Sequence, residues 1–188
     1  IGVIDIAEPK ATPRPEPDRG LALAMFDAPR KEVAPMFSEA VLVSEMPEDA
    51  RGVIPPAELA PGVELLASRL PQTVVEGGIL QVSTWWRVTG SVEQNVMLAL
   101  RLSVESETPR RGTHWYTRHD PGDWTMPLSR LEPGQIVEDH YPARLAGLPA
   151  GMCKVYATVI DTTRTGDSQI LGEQYLLGEV QIVPQTTK

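Results

Sequence analysis

Between residues 79 and 88 the chain reads I-L-Q-V-S-T-W-W-R-V, and its positions sort into two sets that alternate one by one. Leu80, Val82, Thr84 and Trp86 fall on one face, with Ile79, Gln81, Ser83 and Trp85 on the other. Alternation at period two predicts a strand, because successive side chains of an extended chain point to opposite sides. The segment N-V-M-L-A-L-R-L-S-V (95–104) sets Val96, Leu98, Leu100, Leu102 and Val104 against Asn95, Met97, Ala99, Arg101 and Ser103. That is a long strand with one firmly buried face; no cap precedes it, which weakens a helical reading. M-C-K-V-Y-A-T-V-I-D (152–161) places Met152, Lys154, Tyr156 and Thr158 opposite Cys153, Val155, Ala157 and Val159. V-E-L-L-A-S-R-L (63–70), I-V-E-D-H-Y-P-A-R-L (136–145) and Y-L-L-G-E-V-Q-I-V (175–183) supply further strands. Pro142 confines the second of these to an edge or a strand end.

Turn residues separate these segments: Gly77-Gly78, D-P-G-D-W (120–124), L-E-P-G-Q (131–135), L-P-A-G (148–151) and the hairpin loop T-T-R-T-G-D-S-Q (162–169). Seven or eight short strands broken by Gly/Pro turns predict an all-β fold, an antiparallel β-sandwich of immunoglobulin-like or jelly-roll-like type.

The first third of the chain has a different texture. Ten of the 18 prolines lie in residues 1–62, and eight of the ten aromatic residues lie after them. E-P-K-A-T-P-R-P-E-P-D-R-G (8–20) cannot enter a sheet or helix interior, because proline fixes φ and lacks a donor. It reads as an extended spacer. A short helical turn is expected at L-A-L-A-M-F (21–26), and 27–62 read as mostly irregular, with one apolar patch, A-V-L-V (40–43). The expected organisation is a proline-rich extended arm over 1–60, laid over the domain or over a partner, then a sandwich over 61–188. The apolar opening I-G-V-I-D-I-A reads either as the end of a membrane anchor or as a short edge strand. No run of 18 apolar residues occurs.

Charge narrows the partners. Lys and Arg number 17 against 25 Asp and Glu, a net charge of −8, and no basic run exceeds the pairs Arg30-Lys31 and Arg110-Arg111. Binding to a phosphate backbone relies on clustered cations, so nucleic acid is not an expected partner. The single cysteine, Cys153, excludes an intrachain disulfide and sits where a strand calls for a small buried residue.

Two stretches invite chemistry. Trp85 and Trp86 are adjacent, so in a strand they point to opposite faces and cannot make one stacking platform. One should plug the core; the other should lie on the outer face, covered by the arm or by a partner. H-W-Y-T-R-H-D-P-G-D-W (114–124) is the most polar-aromatic stretch. Its His114, His119, Asp120 and Asp123 match no named metal template. The competing account is a loop braced by Asp side chains bonding their own backbone, with Trp124 packed beneath it. If a sugar binds anywhere, the binding residues are Trp115, Tyr116, His119 and Trp124. D-T-T-R-T-G-D (161–167) has too few acids for a calcium loop. No G-x-S-x-G, P-loop or G-x-G-x-x-G occurs. The expectation is therefore a chain that is not an enzyme, with no catalytic residue, metal or cofactor.

The order of these landmarks resembles a known domain. V-E-L-L-A-S-R-L leads into V-V-E-G-G-I-L-Q-V-S-T-W-W-R-V, followed by H-D-P-G-D-W, L-E-P-G-Q-I-V-E-D-H-Y and L-P-A-G-M-C-K-V-Y-A-T-V-I-D. Over about residues 63–183 this is similar to the β-sandwich domain appended to bacterial multi-spanning membrane proteins of the mannosyltransferase-like kind. The chain departs from that pattern at Ile160, where an aromatic usually precedes the Asp, and at Gly151-Met152, where Gly-Tyr is usual. These are turn and core motifs, which specify fold better than activity. The resemblance implies a non-catalytic, extracytoplasmic, membrane-associated accessory domain or subunit. Its partners would be other protein subunits, membrane-embedded, with the arm running from the membrane or across a neighbour. The alternative is a carbohydrate-binding module using exposed aromatics. A stand-alone enzyme ranks last.

Overall fold

A computed structural model describes residues 39–104, 114–122, 125–163 and 169–185. Their regular structure is strand, apart from one 3-10 turn at Leu128–Arg130. The strands are β1 (Glu39–Val43), β2 (Arg51–Ala60), β3 (Val63–Arg69), β4 (Thr73–Val75), β5 (Ile79–Val88), β6 (Val96–Val104), β7 (His114–His119), β8 (Ile136–Arg144), β9 (Gly151–Asp161), β10 (Gln169–Ile170) and β11 (Tyr175–Val183). They form a five-stranded sheet in the order β1-β8-β5-β3-β2 and a six-stranded sheet in the order β4-β11-β9-β6-β7, with β10 paired to β9. The pairs are antiparallel except β4 with β11, which run parallel. The protein is a β-sandwich.

Period-two patterning explains why the sheets pack. Leu80, Val82, Trp86 and Val88 of β5 meet Val96, Leu98, Leu100, Leu102 and Val104 of β6 and Cys153, Val155, Ala157 and Val159 of β9 in one continuous core. Each of these side chains leaves water on the face that the alternation assigns to it. Burial pushes the Cys153 thiol up to about 11, so it stays protonated as a small apolar filler.

Turn chemistry holds the strands in register. β2 and β3 are joined by Pro61-Gly62, and Gly62 has φ +78°, a left-handed conformation that a residue without Cβ adopts freely. In β3 the register shifts between Leu65 and Ala67. That extra residue lets Leu65 face the main core while Leu66 and Ala67 both join the cluster around Trp85.

The expected boundary at residue 61 does not hold. Residues 39–60, read as the end of an irregular arm, build β1 and β2, the two edge strands of the five-stranded sheet. Edge position is the physical reason: β2 carries Pro55 and Pro56, which an outer strand tolerates because one side of its ladder has no partner to lose. The expected helical turn at 21–26 and the proline-rich stretch lie outside the described residues.

Candidate functional site

The five-stranded sheet carries polar side chains on both faces, and strand register sets them in rows. On the inner face, Ser68, Thr84, Asp139 and Ala40 are cross-strand neighbours through β3, β5, β8 and β1. Ser68, Thr84 and Asp139 are all buried. A carboxylate inside a sandwich must be paired or it costs several kcal/mol. Asp139 is paired twice: its Oδ2 lies 2.9 Å from His119 Nε2, and its Oδ1 accepts from the Gly122 N–H at 3.0 Å. His119 arrives from the end of β7 in the opposite sheet, so this pair links the two layers. The Tyr141 ring stacks on the imidazole with centroids 4.0 Å apart and planes at 25°, and the Tyr141 hydroxyl accepts from Thr117 Oγ1 at 2.7 Å.

This inner network is closed. His119 is 2% exposed, and no face of its ring is open to a ligand. His119 Nδ1 and Asp120 Oδ1 are buried without hydrogen-bond partners. Burial raises the Asp120 pKa above the ordinary carboxylate value, and the neighbouring His119 pulls it partly back. Gly122 has φ +64°, and a Cβ there would stand 2.9 Å from both the backbone N and the Cβ of Ala40. The residues 119–122 thus clip the end of β7 to β8 and β1. Their chemistry is structural.

The outer face of the same sheet is different. Here Arg69, Ser83, His140 and Glu39 form one cross-strand row, with Ala67, Trp85, Glu138 and Val41 beside it. Ser83 Oγ is 2.8 Å from His140 Nδ1, and His140 Nε2 is 3.0 Å from Glu138 Oε1. Glu138 reaches Arg69 Nη2 at 3.6 Å, and Arg69 Nη1 reaches Asp49 at 2.8 Å. The Arg69 guanidinium lies over the Trp85 ring, 5.4 Å from its centroid. Two surface grooves meet at Arg69. One, of about 390 Å³, runs past Asp49, Arg51, Ser68 and Gln72 to Glu179; the other, of about 440 Å³, is lined by Glu45, Met46, Pro47, Glu48, Arg69 and Glu138.

Trp86 is in the main core, its Nε1 donating to Thr84 Oγ1 at 2.8 Å, while Trp85 is on the outer face and also fully buried. Its cover is Val43, Ala50, Leu66, Ala67 and Ile136, with Arg69 above. Val43 and Ala50 belong to the segment expected to be arm. A fully buried tryptophan removes roughly 150–250 Å² from water, worth about 4–6 kcal/mol at ~25 cal/mol per Å². An uncovered Trp85 would forfeit most of that.

Of the residues assigned to sugar binding, His119 is in the sealed inner network, not on a rim. Its partner, 20 positions along the chain, is an acid that local sequence does not couple to it. Trp115 and Tyr116 lie in β7, paired with Leu102 and Arg101 of β6, and Trp124 lies outside the described residues. Among the described residues no group of three or more His, Cys, Asp or Glu side chains converges as a metal site. The outer row was not anticipated. A partial signal was present: Glu138 and His140 are two apart on a strand and so share a face, as do Ser83 and Trp85. Which strand lies beside which could not be read from one chain.

No family model matches this chain, and no curated protein does. Solved structures do, among them AvmM, described as catalysing macrocyclization in alchivemycin A biosynthesis. It is 11% identical, the alignment covers 66% of this chain and 91% of that one, and the TM-score is 0.37. The expectation that the chain is not an enzyme is corrected here: this structural neighbour is an enzyme, so that exclusion does not stand. At that TM-score the likeness transfers no activity to this chain.

Proposed function

We propose that this chain works by contact, as an extracytoplasmic accessory domain or subunit docked on a bacterial membrane assembly. The observation that carries the reading is the unequal finish of the two edges of the five-stranded sheet. On one edge β2 holds Pro55 and Pro56, residues that deny an incoming strand its hydrogen bonds. On the other edge β1 has no proline, and Val41 and Leu42 are about half exposed, with Met46 exposed just beyond. Among the described residues no strand pairs with the outer side of β1, and an open apolar edge is a template for strand addition. Glu39 and Glu45 bracket it, so the fitting partner is an extended segment with an apolar centre and basic ends. The membrane setting comes from the resemblance of the strand and turn order over 63–183.

The test is the double substitution Val41→Lys, Leu42→Lys, with the protein expressed in its source cells. Both side chains are on the edge, so the melting curve should be unchanged. The variant should leave the membrane-bound complex and elute free. A variant that stays with the complex as the parent does would refute the reading. Among the described residues nothing favours the carbohydrate alternative.

A further inference from the structure

We propose that Ser83 is a nucleophile that accepts an acyl group, with His140 as its general base, and that its substrates are small uncharged carboxylic esters. The inference does not depend on the docking reading.

Hydrogen-bond logic sets the roles. Glu138, held by Arg69 at 3.6 Å, is a carboxylate and can only accept, so the bond at 3.0 Å places a proton on His140 Nε2. In the neutral ring Nδ1 then carries the lone pair, and the partner 2.8 Å from it, the Ser83 hydroxyl, is the donor. A hydroxyl aimed at an imidazole lone pair, with the ring's other nitrogen held by a carboxylate, is the general arrangement of an activated serine. Arg69 is the cross-strand neighbour of Ser83 on the opposite side from His140; its guanidinium rests over Trp85 on Asp49 and Glu138, and in the proposed reaction it turns from Asp49 to the oxyanion. Ser83 is 7% exposed, and the Trp85 cluster lies in the adjacent row; with less water around them, these contacts are stronger than on an open surface. The acidic groove at Glu45, Glu48 and Glu138 opens beside Arg69 and disfavours anionic substrates, while Met46 and Pro47 offer an apolar wall.

In the step itself, Ser83 Oγ bonds to the ester carbonyl carbon as its proton passes to His140 Nδ1. The tetrahedral oxyanion is met by Arg69, and the imidazolium by Glu138. Collapse breaks the bond to the alkoxide, which takes the proton from His140 and leaves as alcohol. Water, deprotonated by the same nitrogen, then releases the acid and restores Ser83. Ester and water are consumed; acid and alcohol are formed. Ser83 and His140 are the catalytic residues, and Glu138 is a positioning residue.

The experiment uses the full chain and a fluorophosphonate probe, in which Ser83 Oγ would displace fluoride at phosphorus. Intact mass and peptide mapping should show one adduct, on Ser83, in the folded protein and none in urea. Ser83→Ala should abolish it. His140→Gln and Glu138→Gln should slow labelling, the former on the order of 100-fold, with melting curves unchanged. Absence of a Ser83 adduct in the folded parent, or labelling that is equally fast in His140→Gln, would overturn the proposal. Neither of these outcomes bears on the membrane association altered by the Val41, Leu42 variant.

Discussion

Trp85 and Trp86 differ in one atom's fate. Both are at most 1% exposed, but Trp86 Nε1 donates to Thr84 while Trp85 Nε1 has no partner. Phenylalanine at either site removes a similar volume, so the difference between the two variants isolates the hydrogen bond. Trp86→Phe leaves Thr84 without its donor; Trp85→Phe removes a buried N–H that was already unpaired. Chemical denaturation should therefore find Trp86→Phe the more destabilising, by about 1 kcal/mol. Equal losses would mean that the Trp86–Thr84 bond contributes nothing. At this scale the sequence was informative about direction and silent about company. Adjacent strand residues must face opposite ways, and Cys153 falls among buried neighbours by pattern alone. That Ser83 would meet His140 depends on β5 pairing with β8, and that His119 would meet Asp139 depends on β7 packing across the sandwich from β8; no local spacing encodes either.

At the level of elements, legibility followed patterning. β5 spans the ten residues whose alternation predicts it, and β6, β9 and β11 fall within a residue of their expected limits. β2 was missed because Pro55-Pro56 signals a break, and the structure agrees in part: its register with β3 slips between Gly52 and Ala57. The strand survives because it pairs on one side only. β1 was visible as an apolar patch, but five residues are too few for alternation to declare a strand. The clip at 119–122 shows how an element is held in place. Gly122 combines a left-handed φ with close approach to Ala40 of β1, so Gly122→Ala should push β1 off its seat and cost about 1–3 kcal/mol. Hydrogen exchange should then show faster exchange concentrated in β1 and the end of β7. A uniform increase, or none, would mean that the clip does not hold β1.

For the whole molecule, the sandwich presents two faces of unlike character. The interior uses its polar residues to close the structure: His119 Nε2 and the Gly122 N–H each meet one oxygen of the buried Asp139 carboxylate where water cannot. The outer face of the five-stranded sheet keeps its polar row beside grooves, and the β1 edge keeps apolar side chains in solvent. Composition and turns were enough to predict layers of strands. They could not say which edge would be left open, because that is a property of strand order rather than of any strand.

Docking at β1 is the central functional claim, and the two edges of one sheet provide its control. A photo-cross-linking residue placed at Val41 on β1, or at Ile54 on β2, is solvent-facing in either case. Irradiated in membranes of the source cells, position 41 should capture a membrane protein in much higher yield than position 54. Equal capture from both edges, or capture from position 54 alone, would contradict the account.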